Sequence, residues 1–208
     1  NGGLYAALAG EFGDETDVGA VAILSTNDGP FFTMLALSIT GIANIPFLTL
    51  VGCILPILMG MLLGNLDPDI RKFTEPGATM MIPFFAFPLG AGLTFTNLIA
   101  AGGPGLLLGL ISCLTTGFAG YFIYKLLKVK RPQVGAAIGT SAGNSAATPN
   151  AIADADAAFA GAIAAAATVQ VSAAIIVTAI LCPVLVSLLD KHEKKIHPHR
   201  YALPAAGA

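Results

Sequence analysis

Long apolar runs separated by short polar segments dominate the chain and predict a bundle of membrane-spanning helices. The pattern predicts a short apolar helix at 3–10 and spans near 18–41, 46–65, 78–101, 104–127, 134–153 and 157–189. Runs of about 20 apolar residues match a bilayer core, and their continuous apolarity favours helices over alternating strands. The 134–153 span is the weakest by hydropathy, and the last span is long enough to tilt or project.

Composition supports this all-α membrane architecture. The 208 residues are 55% hydrophobic and 11% charged, whereas soluble domains carry roughly 25% charged residues. The charges cluster between the apolar runs, at 11–17, 67–75, 125–131 and 191–200. With a net charge of −2 and no long basic block, the lipid bilayer is the expected partner and nucleic acid is not.

The basic residues predict the orientation of the spans. Lys and Arg follow the spans 46–65, 104–127 and 157–189, whereas the short loop at 102–104 has none. The positive-inside rule therefore places the basic loops in the cytoplasm. Residues 191–208 are then a cytoplasmic tail, and the chain is a multi-pass protein.

The cysteines and histidines do not form a metal-binding pattern. Cys53, Cys113 and Cys182 stand singly inside apolar runs, so we expect buried small side chains rather than disulfides or ligands. The tail histidines are interpreted as solvated, although a His-x-His metal site is the alternative. We therefore expect no metal and no cofactor.

The stretch GTSAGNSAATPNAIADAD at 139–156 interrupts the apolar pattern where a further span is due. A continuous helix satisfies its own backbone groups, whereas a break near Asn144 and Pro149 frees them for a ligand. The positive end of a half-helix starting there suits an anion. A flexible polar loop outside the membrane is the alternative.

The beginning of the chain resembles this break. NGGLYAALAGE starts at Asn1 and NSAATPNAIAD starts at Asn144; Asn27 lies as far from the first as Gln170 does from the second. The predicted orientation makes the two segments antiparallel, as in the inverted repeats of secondary transporters with discontinuous crossing helices. Chance similarity of Gly- and Ala-rich spans is the alternative.

This repeat predicts the domain organisation. Residues 1–41 would end the first repeat, and residues 42–190 would form the second, with five spans and a broken helix near 134–156. The chain begins without Met, and we expect it to be the C-terminal two-thirds of a ten-helix transporter with three matching spans upstream.

The broken segments supply the predicted binding residues. Neutral donors and acceptors at the second break suit sugar hydroxyls and carbonyls, and the first break supplies their counterparts. The predicted set is Asn1, Gly2, Gly3, Asn144, Ser145, Thr148 and Asn150.

Asp28 lies near the middle of the predicted 18–41 span. An ionised Asp at a helix centre costs roughly 2.5–3.5 kcal/mol on insertion scales, so it is expected to be protonated for part of a cycle. We predict that Asp28 couples transport to protons, with Asn27 and Gln170 lining the same cavity. A β-turn at Asn-Asp-Gly-Pro, with Asp28 in water, is the alternative.

Four stretches resemble the bacterial 2-keto-3-deoxygluconate permeases: NGGLYAAL, DVGAVAILSTNDGPFFTML, PFFAFPLGAGL and GTSAGNSAATPNAIA. The resemblance runs to about Leu189. It implies an inner-membrane carrier that imports this anionic sugar acid with protons for pectin and hexuronate breakdown. It also implies kinship with the bile acid/sodium symporter fold, which has ten helices, two of them broken and crossing.

Other functions stay open at this point. Broken helices with Asn27 and Gln170 also suit sodium, which makes a sodium-coupled organic anion symporter the main alternative. A passive channel is a further one. A membrane enzyme is disfavoured, because the spans contain no His-rich metal spacing and no Ser-His pair. A homo-oligomer is compatible with the sequence.

Overall fold

The structure is a computed structural model that describes residues 1–24, 30–80, 84, 87 and 95–198. These residues form helices and irregular segments, and none of them lies in a strand. The α-helices are α1 (Gly2–Phe12), α2 (Glu15–Gly19), α3 (Val21–Leu24), α4 (Phe31–Ile39), α5 (Phe47–Leu66), α6 (Pro68–Met80), α7 (Phe95–Leu126), α8 (Thr148–Ala155) and α9 (Ala162–Ile196). Short 3-10 helices occupy Pro132–Ile138, Gly143–Ala147 and Ala157–Phe159.

Three helices in the described part are long and apolar enough to cross a membrane. They are Phe47–Leu66, Ala101–Leu126 and Ala162–Ile196, which confirms the predicted spans 46–65, 104–127 and 157–189 as helices. At 35 residues and 1.5 Å per residue, α9 exceeds the roughly 30 Å thickness of a bilayer core. The expectation of an overlong last helix is confirmed.

Two other predicted spans differ from the structure. A single helix over 18–41 is wrong, because Ala20 separates α2 from α3 and α4 begins only after Pro30. An Asp14 capping box starts α2, and the ring of Pro30 removes a backbone donor before α4. Much of the predicted 78–101 span lies outside the described residues.

The loop predicted at 102–104 is a break of one residue within α7. Gly102 has a φ of 55° and a ψ of −154°, a left-handed conformation that only glycine adopts without strain. Pro104 follows in the first turn after the break, where its missing N–H costs nothing. The local sequence Gly-Gly-Pro therefore sets the point at which the helix restarts.

The chain divides into two compact units, each described by itself below. Unit 1 contains 1–24, 107–141 and 174–208, and unit 2 contains 25–106 and 142–173. Two of the boundaries fall within α7 and α9. The predicted repeat boundaries at 41 and 190 are a different kind of division and stay a prediction.

Small residues bring the elements of unit 1 into backbone contact. A Cβ on Gly120 would lie 2.1 Å from the carbonyl oxygen of Gly135, and a Cβ on Gly109 would lie 2.6 Å from Val177. Similarly, a Cβ on Gly139 would lie 2.8 Å from the carbonyl oxygen of Cys113. Such close approach is the usual basis of helix packing in membranes, where water provides no driving force.

The core of unit 1 surrounds the 3-10 helix Pro132–Ile138. Val134 and Ala136 are fully buried there, together with Cys113 and Cys182. Both thiols are free, and the expectation of buried cysteines is confirmed for these two. Cys53 is also free but only partly buried. Among the described residues no group of His, Cys, Asp and Glu side chains could hold a metal ion.

The tail begins later than the sequence predicts. Helix α9 continues to Ile196, and the Glu193 side chain is completely buried. The prediction of a solvated tail from residue 191 is therefore wrong for Glu193. The charge cluster misled the prediction because Tyr121 and Lys125 of α7 provide partners for this carboxylate.

Unit 2 has its own apolar core. Met34 on α4, Ala43 and Ile45 in the following loop, Leu50 on α5 and Ile152 on α8 pack together. By contrast, α5 exposes most of its apolar surface, with Leu48 80% exposed. An exposed apolar helix of spanning length is typical of a surface that contacts lipid.

Adding one methyl group at Gly120 tests the packing of unit 1. We expect Gly120→Ala to lower the thermal unfolding midpoint in detergent, because overpacking a dense contact costs about 1–3 kcal/mol. Gly60→Ala is the matched control, since a Cβ there meets nothing within 4 Å. Equal midpoints for the two variants would contradict the backbone contact between Gly120 and Gly135.

Candidate functional site

A cavity of about 380 Å³ lies in unit 2 beside the interrupted segment. Its hydroxyl groups come from Thr33 on α4, Ser145 in the 3-10 helix Gly143–Ala147, and Thr148 at the start of α8. Apolar walls come from α4, α8, the turn before α9 and α9 itself, and include Leu37, Ile152, Phe159, Ile163 and Val171. An apolar cleft with a few polar groups is typical of small-molecule sites, which span roughly 300–1,000 Å³.

The interruption itself is confirmed. Residues 139–142 are irregular, a 3-10 helix follows, and α8 starts at Thr148 with Pro149 in its first turn. Ala147, which precedes α8, provides no side-chain cap for its first turn. Since Ser145, Thr148 and Pro149 line the cavity, the start of α8 borders it; the position of this helix within a membrane stays a prediction.

Two backbone N–H groups on the unit 1 side of the interruption have partners within the protein. The Ser141 N–H donates to the Thr178 hydroxyl at 3.0 Å, and that hydroxyl donates to the Ile175 carbonyl at 3.1 Å. The Gly139 N–H donates to the Ala136 carbonyl at 3.0 Å. Irregular backbone in an apolar surrounding requires such partners, because each unpaired buried group costs free energy.

Asp156 forms hydrogen bonds that connect two segments beside the cavity. Its Oδ2 accepts a hydrogen bond from the Asn44 N–H at 2.7 Å, and its Oδ1 accepts one from the Ala158 N–H at 3.0 Å. These two backbone donors lower the pKa of the carboxyl. Asp156 thus joins the loop after α4 to the end of α8, and both helices contribute walls of the cavity.

The other predicted residues at the second break lie near the cavity residues in sequence but do not line it. Asn144, Asn150 and Gln170 are described, and none of them is among the lining side chains. Asn150 is exposed and Asn144 is partly buried. The Gln170 backbone packs on α7, where a Cβ on Gly105 would lie 3.4 Å from its Cα.

The predicted residues at the first break belong to unit 1. Asn1 caps α1, because its side-chain oxygen accepts a hydrogen bond from the Leu4 N–H at 3.1 Å. The Asn1 nitrogen donates to the Thr140 carbonyl at 3.3 Å. Gly2 and Gly3 form the first turn of α1. A binding role for these residues and the predicted crossing of the two breaks stay predictions.

Asn27 and Asp28 lie outside the described residues. Their predicted role in proton coupling therefore stays a prediction, as does the alternative of a β-turn at this position.

Thr33 and Asp156 show what the sequence reasoning missed. Thr33 and Leu37 lie four residues apart on α4 and line the same cavity, a spacing that places side chains on one helix face. That periodicity was a usable signal. Asp156 caps the 3-10 helix Ala157–Phe159, and its bond to Asn44 across 112 positions had no sequence signal.

Comparison with known proteins decides the family. The model of the 2-keto-3-deoxygluconate permease family matches residues 1–195. The chain belongs to this family. The resemblance in the four quoted stretches is thereby confirmed.

Individual relatives agree with the family. The chain is 51% identical over 197 residues to 2-keto-3-deoxygluconate permease 1 of Salmonella typhimurium, covering 94% of this chain and 61% of the relative. It is 40% identical over 194 residues to 2-keto-3-deoxygluconate permease of Escherichia coli K12, covering 93% and 59%. The chain thus spans about three fifths of the length of these relatives. No solved structure matches the chain.

Removing Asp156 is expected to loosen the cavity wall in a pH-dependent way. The folded-state pKa of this carboxyl is lowered, so its stabilising effect is present above the ordinary Asp range and disappears as the pH falls through the lowered value. Asp156→Ala should therefore lower the unfolding midpoint most near neutral pH. The difference from the unmodified protein should shrink in acid.

Asp154→Ala provides the control, since Asp154 is exposed on the same helix. Thermal unfolding in detergent over a range of pH measures both variants. If the two variants unfold alike at every pH, the tie between Asp156 and Asn44 does not stabilise the protein.

Proposed function

We propose that this protein is a secondary active carrier that imports 2-keto-3-deoxygluconate by proton symport. The observation that carries the proposal is the cavity beside the interrupted segment, with Ser145 and Thr148 in its wall, in a member of a permease family. The relatives are named permeases for this sugar acid. Three helices of spanning length support a site within a membrane protein.

The lining of the cavity suits the binding of an anionic, partly deoxygenated sugar acid through uncharged groups. The described side chains lining it include no charged group, so hydroxyls and backbone N–H groups at the start of α8 would bind the carboxylate, ketone and hydroxyls. Single neutral hydrogen bonds contribute about 0.5–1.5 kcal/mol each. Modest contacts suit a carrier, because the substrate must leave on the other side of the membrane.

Proton coupling is proposed from Asp28, with Asn27 and Gln170 beside it. A carboxyl that gains and loses a proton inside a membrane is a common coupling device, and the described lining of the cavity has no titratable side chain to take this role. Uptake driven separately by a proton gradient and a sodium gradient distinguishes this coupling from the sodium alternative. Uptake by Asp28→Asn against a substrate gradient would exclude the proton role of Asp28.

The proposed architecture follows the sequence. Two inverted repeats with broken, crossing helices would form a ten-helix carrier in the bacterial inner membrane, with its C-terminus in the cytoplasm. The interrupted helix at 139–155 and the basic residues after the spans support this arrangement. An enzymatic function has no support from the family, whose members are named permeases.

Replacing cavity hydroxyls by methyl groups tests the binding role. We expect Thr33→Val and Thr148→Val each to raise the half-saturating concentration for labelled 2-keto-3-deoxygluconate about three- to tenfold, because each loses one hydrogen bond. The measurement is initial uptake into proteoliposomes containing the full-length protein.

Thr115→Val is the matched control for both variants. Thr115 is exposed on α7, and its hydroxyl donates to the Ile111 carbonyl of its own helix at 2.6 Å. The same half-saturating concentration for all three variants would show that the cavity is not the binding site. If the unmodified protein does not accumulate the sugar acid in response to a gradient, the carrier function itself is overturned.

A further inference from the structure

A second polar cluster lies in unit 1, where the last turns of α7 and α9 meet. Glu193 on α9 is completely buried. Its Oε1 accepts hydrogen bonds from the Tyr121 hydroxyl and from the Lys125 ammonium group, the latter at 3.3 Å. Two donors on α7 therefore hold one oxygen of the carboxylate.

The other carboxylate oxygen has no hydrogen bond. Oε2 of Glu193 is buried and lacks a partner among the described residues. A buried acceptor without a donor is costly, and a charged one is more so. The Nε2 atom of His197 is 4.0 Å from this oxygen, beyond the length of a hydrogen bond.

The helix geometry keeps this histidine beside the carboxylate. His197 follows Glu193 by four residues, and its backbone N–H donates to the Glu193 carbonyl at 2.8 Å, which extends the helical pattern by one residue. Side chains four residues apart lie on the same helix face. The His197 side chain is 37% exposed, whereas that of Glu193 is 0% exposed, so the imidazole contacts water and the carboxylate does not.

We propose that Glu193 and His197 form a proton-binding site at the end of α9. The imidazole takes one proton from water, which leaves an N–H on both ring nitrogens, and its Nε2–H donates to Oε2 of Glu193. Release of the proton to water restores the open pair. Histidine is the side chain whose charge ordinarily changes between about pH 5 and 8.

Among the described residues, the other charged groups around the pair have partners elsewhere. On α7, Tyr121 and Lys125 both face Oε1. On α9, Asp190 pairs with Lys194 at 2.7 Å. The 3-10 helix Pro132–Ile138 presents Gln133, which donates to Asp190 at 2.9 Å and does not titrate. The basic groups and Asp190 thus have partners of their own, while Oε2 faces His197.

The site has a role in the carrier only if the proposed function holds. A histidine that takes a proton from water and releases it again at the C-terminal end of α9 would exchange protons on the side of the membrane where the C-terminus lies. That role rests on the proposed proton symport; the proton-binding site itself does not.

Carbon-13 NMR of the glutamate carboxyl groups tests the site directly. The chain contains four glutamates, Glu11, Glu15, Glu75 and Glu193, so labelling them gives few signals, and Glu193→Gln identifies the one at 193. We expect the position of the Glu193 signal of the full chain in nanodiscs to change when the pH is varied. It should lose most of that shift in His197→Gln.

His192→Gln is the matched control, because this exposed histidine lies on the same helix and its removal should leave the shift intact. The proposal is overturned by a Glu193 signal that does not respond to pH in the unmodified protein, or by an equal response in His197→Gln. The measurement needs no substrate and no gradient. Its failure is therefore distinguishable from failure of the carrier function, which uptake reports.

Discussion

Backbone pairing is the constraint on which this structure depends. A chain in lipid must satisfy its N–H and C=O groups within the protein or with enclosed water, and helices do so automatically. The segment after Ile138 is not helical, and a hydrogen-bond partner is present there: the Thr178 hydroxyl accepts a hydrogen bond from the Ser141 N–H. Beyond it, the 3-10 helix and α8 restore regular pairing beside a cavity with hydroxyl groups in its wall.

Polar groups are few in this chain, and each cluster has its own structural reason. In unit 2, the Asp156 carboxylate accepts hydrogen bonds from two backbone N–H groups and so anchors the loop after α4. In unit 1, Glu193 shares one oxygen with Tyr121 and Lys125 and keeps the other unbonded near His197. A buried carboxylate oxygen without a partner is energetically costly, and this unbonded oxygen is the basis of the proposed proton-binding site.

The sequence predicted features that local chemistry determines. Apolar length identified α5 and α9, Gly-Gly-Pro identified the break in α7, and the Gly-, Ser- and Asn-rich stretch identified the interruption before α8. The sequence did not predict contacts between residues that are far apart along the chain. The partner of Asp156 lies 112 positions away and that of Glu193 lies 72 positions away, and no periodicity records such pairs. The prediction of one span at 18–41 was wrong because α2 ends at Ala20 and α4 begins after Pro30, although the segment is continuously apolar.

The central proposal is that the interrupted segment borders a water-accessible cavity that binds the sugar acid. Labelling of Ser145→Cys by a water-soluble maleimide in membranes, with Cys53 replaced by Ser, tests it most directly, since Cys113 and Cys182 are fully buried. The account predicts that Cys at 145 reacts and that 2-keto-3-deoxygluconate slows the reaction in proportion to its occupancy. A thiol that does not react, or one whose rate is independent of the sugar acid, would contradict it.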